Sequence, residues 1–144
     1  TRRLDMNVLT RPRSRVHTII AVAALAWNLL GLVLFVLQIT MSAERVAALA
    51  PADRAMYDAT PGWVLGGFGV AVVTGVIGSL GLLLRQKWSI PAFAVSLMAI
   101  MVQIAGTFAM TPAWETYGGA GLIMPVILAT IAFALLKYAQ RPAA

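Results

Sequence analysis

Cysteine is absent from this sequence, histidine occurs once, at His17, and only 11% of the 144 residues carry charge. The first absence removes disulfides, thiolate nucleophiles and zinc-thiolate clusters, and leaves the redox compartment unreadable. The second removes any metal site built from several imidazoles of one chain. The third says most. Soluble domains carry about 25% charged residues, and a water-facing surface cannot be assembled from this composition when 60% of residues are hydrophobic. Acids are scarcer than bases, five against eleven, for a net charge of +6. Such a balance would suggest nucleic acid if the bases lined one soluble face, but they are scattered between long uncharged runs, so no nucleic-acid partner is expected.

Four windows, 16–43, 59–84, 88–114 and 116–136, contain no Asp, Glu, Lys or Arg. Each exceeds the ~20 residues that a bilayer-crossing helix needs. The chain therefore reads as one all-α membrane domain over 1–144, with spans at about 16–40, 63–84, 89–110 and 119–138. Lys and Arg of short loops stay cytoplasmic, and one set of segments holds nine bases against Asp5 alone, whereas the other holds Arg45 and Arg54 against Glu44, Asp53, Asp58 and Glu115. Both termini are thus expected in the cytoplasm, with the protein in a bacterial inner membrane. The arm 1–15 carries five arginines before an apolar run too long for a secretory signal, whose core is about 7 to 15 residues. Arg11, Arg13, Arg15, Arg85 and Lys87 are the expected contacts to anionic lipid headgroups.

The second span repeats small residues every four positions, at Gly67, Ala71, Gly75 and Ser79. Burial of apolar surface between helices gains nothing over lipid, so such a stripe acts by letting two backbones approach closely. Gly66, Gly69, Gly78 and Gly81 widen the small surface, which predicts more than one neighbouring helix. Between spans one and two, 42–62 predicts short amphipathic outer helices, with Ser42 as a cap and Pro51 opening a second helix. They cover the outer surface, or form a lid over a cleft. Span three tolerates Pro91 in its first turn. Span four would be short if it began at Pro125, so it is expected to start near Gly119 and bend at the proline. Trp63, Trp114 and Tyr117 fall at the outer interface, and Trp88 and Tyr138 at the inner one.

Thr60-Pro61-Gly62-Trp63 recurs as Thr111-Pro112-Ala113-Trp114, and Arg85 and Lys137 each follow a glycine run by the same interval. This reads either as a 2+2 parallel repeat about an axis along the membrane normal, or as Thr-Pro and Gly-Gly punctuating helix ends. The repeat would place Asn28 and Gln103 at matching depth, each three residues before a glycine, with Thr74 and Thr130 near the midplane. These four form either hydrogen-bonded glue between helices or a polar patch for a neutral solute. Gln38, nearer the outer end, has water within reach.

Chemistry is sparse. No Asp, Glu, Lys or Arg interrupts a span, so the signature of a proton relay or ion pathway is missing. His17 has no paired nucleophile, Glu115 reads as a solvated interfacial acid, and Met98 and Met101 read as core packing rather than a copper site. No catalytic residue, metal or cofactor is expected, and the chain reads as a non-enzyme.

Trp27-Asn28-Leu29-Leu30-Gly31, Ala52-Asp53-Arg54-Ala55-Met56-Tyr57-Asp58 leading to Trp63, Gly78-Ser79-Leu80-Gly81 and Arg85-Gln86-Lys87-Trp88 together look like a pattern. It resembles a family of small four-span bacterial inner-membrane proteins of unestablished function, some labelled sugar transporters. The likeness covers about residues 16–110 and implies transport of a neutral solute without supplying a binding residue. Two functions are therefore expected: an accessory subunit docking on a larger membrane complex through the glycine stripe, or a transporter of a small neutral solute such as a sugar, acting as a homo-oligomer.

Overall fold

A computed structural model describes residues 2–141, with side chains from position 15 onward. Among them every regular element is helical: α1 (Arg2–Ile39), α2 (Ala43–Ala47), α3 (Pro51–Ala59), α4 (Gly62–Leu83), α5 (Ser89–Met110), α6 (Ala113–Tyr117), a 3-10 turn (Gly118–Leu122) and α7 (Ile123–Ala139). Four stretches are long and apolar enough to cross a membrane: Arg15–Ile39, Gly62–Leu83, Ser89–Met110 and Ala113–Ala139. The protein is an all-α membrane protein with four spans. At 1.5 Å per residue, the 22 residues of α4 reach ~33 Å, enough for a ~30 Å hydrocarbon core.

The short helices form where their boundary residues dictate. The Ser42 hydroxyl accepts from the Arg45 backbone N–H at 3.2 Å and caps α2. Pro51 is the first residue of α3, where its missing donor costs nothing. Neither α2 nor α3 buries a residue fully. The α4–α5 connection is a Schellman turn: Gln86 N–H donates to the Gly81 carbonyl at 2.7 Å and Arg85 N–H to the Leu82 carbonyl at 3.1 Å. Arg85 takes the left-handed position of that turn, φ 58°, which glycine usually occupies.

Span four departs from the expectation drawn from Pro125. Its α-helix begins at Ile123, and the irregular stretch lies earlier, where Gly118 takes φ 59° and ends α6 before the 3-10 turn. Pro125 then sits in the first turn of α7, where no intrahelical donor is required of it. The 17 residues of α7 supply ~25 Å and five 3-10 residues at ~2.0 Å add ~10 Å, so this span reaches full thickness by changing its helical pitch.

Helix α4 is the centre of the molecule. It packs on α1 along one side and most extensively on α5 along the other, and α7 packs on α5. In its most apolar stretch 44% of residues are buried inside the protein, against 17% or less for the other spans. Helices α1 and α7 share no extended interface. They meet at the end that carries the α4–α5 turn, where Ala21, Leu82 and Phe93 form a core with Ile20, Leu135 and Tyr138 against it.

The repeated tetrapeptides play the same local role. The hydroxyls of Thr60 and Thr111 each donate to the carbonyl four residues back, Met56 and Thr107, and Pro61 and Pro112 stand at the N-caps of α4 and α6. The correspondence weakens beyond them, because α4 continues unbroken whereas α6 stops after five residues.

Candidate functional site: a cavity roofed by α2 and α3

Close packing on both flanks of α4 consumes the glycine stripe. A methyl group at Gly67 would make ordinary contact with Ala99 and Gln103 of α5, at 3.6 Å. Ala71 offers its carbonyl to the Ser96 hydroxyl of α5 at 2.7 Å. At Gly75 a methyl group would collide with the Asn28 carboxamide of α1. Ser79, wholly buried, accepts from Asn28 Nδ2 at 3.2 Å and donates to the Gly75 carbonyl at 2.7 Å. Residues four apart on a 3.6-residue helix drift by about 40° per step, so the stripe turns from α5 at one end to α1 at the other. The seam expected to receive a larger complex is filled by the chain's own helices.

The expected midplane polar group does not assemble. Asn28 serves the α1–α4 contact and also donates to the Ala24 carbonyl at 2.8 Å. Thr74 donates back to the Val70 and Ala71 carbonyls of its own helix, and Thr130 is exposed on α7. Gln103 lies beside Gly67, on the opposite flank of α4 from Asn28. Both residues therefore face α4, whereas a repeat pairing spans one and two with spans three and four would have turned Gln103 towards α7. Met98 and Met101, expected in the core, are 69% and 53% exposed. Of the expected headgroup contacts, Arg15, Arg85 and Lys87 are exposed at one end of the bundle, and the side chains of Arg11 and Arg13 lie outside the described residues.

A cavity of about 460 Å³ lies at the opposite end, between α1, α4 and α5 beneath the short helices. Its floor is Val64, Leu65 and Phe68 of α4, with Leu34, Leu37 and Gln38 along α1, Met41 just past the end of α1, and Gln103 and Thr107 along α5. Leu49, Met56 and Tyr57 close it from above, and Arg45 and Asp53 reach it from exposed positions. A cross-link ties the roof down: the Tyr117 hydroxyl of α6 donates to Asp53 Oδ1 of α3 at 2.9 Å. Gln38, Tyr57, Gln103 and Thr107 have no side-chain hydrogen-bond partner among the described residues, and all four line this one space.

The other end is closed. His17 Nε2 donates to the Leu82 carbonyl at 2.7 Å, and the acceptor-only carbonyl requires Nε2 to carry the proton. In the uncharged ring Nδ1 then accepts from the Tyr138 hydroxyl at 3.0 Å. One imidazole thus joins α1, α4 and α7. Sequence reasoning had placed His17 and Tyr138 separately at the interface, because a contact across 121 positions leaves no local signal.

The cavity had a fainter trace in the sequence. Gln103 and Thr107 are four apart and share a face of α5, and Leu49, between α2 and α3, and Met56 of α3 supply apolar side chains to the same space. What was missing was that α1 brings Gln38, 65 positions before Gln103, to the same place. Comparison with known protein families, with curated proteins and with solved structures finds no match for this chain.

Proposed function

We propose that this small integral membrane protein takes up a small, uncharged solute in the cavity beneath α2 and α3, and that copies of the chain together move that solute across the membrane. The observation that carries the reading is the convergence of four uncharged hydrogen-bonding side chains, without side-chain partners among the described residues, on one space of about 460 Å³. Ligand sites combine apolar walls with a few convergent polar groups, and this is the place in the described structure with that combination. The charge bias of the loops supports a reading with the cavity on the outer side of the membrane and the core around Leu82 and Phe93 on the cytoplasmic side. The molecule then corresponds to an outward-facing state, and passage inward requires the His17 contacts to part. Four spans make a thin wall, which supports an oligomeric route. The resemblance to four-span proteins labelled sugar transporters supports the same reading, and the α4 stripe is occupied by α1 and α5 of the same chain.

Purified protein in liposomes should give saturable solute flux that Gln103→Leu reduces and that Thr130→Val, on the exposed face of α7, leaves intact. Flux equal to that of empty liposomes for every neutral solute tried overturns the proposal.

A further inference from the structure

We infer that the occupant of this cavity is an uncharged amphiphile, with a hydroxyl- or carbonyl-bearing head on an apolar body, rather than a free sugar. The inference rests on the proposed solute-binding role and narrows its substrate class.

The polar groups set the head. Two carboxamides, Gln38 and Gln103, each supply donors and an acceptor, and the hydroxyls of Tyr57 and Thr107 do both. They come from α1, α3 and α5, and none is engaged elsewhere among the described residues. The two charged residues at the cavity, Arg45 and Asp53, are of opposite sign and both exposed at its rim, and Asp53 already accepts from Tyr117. A head that gives and receives hydrogen bonds without charge fits this set.

The remaining wall sets the body. Leu37, Met41, Leu49, Val64 and Phe68 offer hydrocarbon and no hydrogen bond. A free sugar carries hydroxyls around its whole ring, so those turned towards Leu37 and Phe68 would lose water and gain nothing, which is costly for each buried group. An alkyl or acyl chain in the same position gains by leaving water. The surroundings favour the same class, since Leu34 and Leu37, which line the cavity, are also exposed on the flank of an apolar span, and a bilayer around that span concentrates amphiphiles.

The test uses the full chain in lipid nanodiscs with a monodecanoylglycerol that carries a photoreactive diazirine on its acyl chain. Peptides containing Met41, Val64 and Phe68 should label in preference to the lipid-facing Ile127 and Phe133 of α7. Unlabelled monodecanoylglycerol should compete, and glucose and decanoate should not. Gln103→Leu and Gln38→Leu should each weaken competition by about fivefold, the factor expected for one lost hydrogen bond, with unfolding midpoints in the same discs showing that both variants fold. Labelling spread evenly over lipid-facing helices, with saturable flux of another neutral solute in the liposome assay, overturns the amphiphile and keeps the solute site. Even labelling with no flux of any neutral solute overturns both, and competition by decanoate equal to that by the glyceride overturns the uncharged head.

Discussion

The carboxamide of Asn28 occupies the space that a side chain at position 75 would need, and its Nδ2 donates to the Ser79 hydroxyl one turn further along α4 at 3.2 Å. The glycine and the asparagine are thus two halves of one contact. Gly75→Ala should destabilise the fold by about 1–3 kcal/mol, as overpacking of a close contact does. Most of that cost should vanish in an Asn28→Ala background, where the obstructing amide is gone. Asn28→Ala alone should cost roughly 0.6 kcal/mol, the average for a hydrogen bond between membrane helices. A double-mutant cycle from unfolding in mixed micelles measures the coupling, and additive effects would contradict the contact.

The same helix offers an internal comparison. A methyl group at Gly78 would lie 2.9 Å from the Phe93 ring, which is 2% exposed and cannot yield, whereas Gly66 has nothing within 4 Å. Gly78→Ala should therefore destabilise by about 1–3 kcal/mol. Gly66→Ala should be neutral or stabilise by up to ~1 kcal/mol through helix propensity. Equal effects in the micelle unfolding assay would show that close approach is not what distinguishes these glycines.

At the closed end, His17 makes two bonds and Tyr138 contributes to one of them. His17→Ala leaves the Tyr138 hydroxyl unpaired and removes a partner of the Leu82 carbonyl, so it should cost about 1–3 kcal/mol. Tyr138→Phe should cost less, about 1 kcal/mol, because the stronger bond to Leu82 remains. A thermal unfolding series of the two single variants and the double variant checks the order, and a larger loss from Tyr138→Phe would reverse the assignment.

Arg85 holds a left-handed backbone that costs a residue with a side chain roughly 1–2 kcal/mol. Arg85→Gly should stabilise the fold by about 1 kcal/mol. It should also weaken binding of the protein's basic end to vesicles containing anionic lipid, a loss that Lys at position 85 would restore. A variant that is destabilised would show that the arginine's own contacts outweigh the strain of the turn.

The roof over the cavity depends on few contacts, and the Tyr117–Asp53 bond is the tie between α3 and α6. Tyr117→Phe should raise amide exchange across residues 51–59 by several-fold, in line with loss of one exposed hydrogen bond, and leave α4 and α5 protected. Unchanged exchange in α3 would mean that the tie does not restrain the roof.

Number and length of the spans were legible because lipid imposes a rule on every residue of a crossing segment: no unpaired charge over about twenty positions. The α2 and α3 boundaries were legible too, since Ser42 and Pro51 act through their own backbone neighbours. Small residues spaced by four told that α4 would be closely approached, but in a membrane the approaching helix may belong to the same chain or to another, and spacing is silent on that choice. Packing decided it in favour of α1 and α5. Packing also sent Asn28 and Gln103 to opposite flanks of α4, because their orientation follows from how each helix is rotated about its axis rather than from depth. The cavity and the His17 contacts belong wholly to the tertiary structure: each depends on helices distant in sequence arriving at one place, and no local property of Gln38, Tyr57 or Tyr138 specifies its neighbours there.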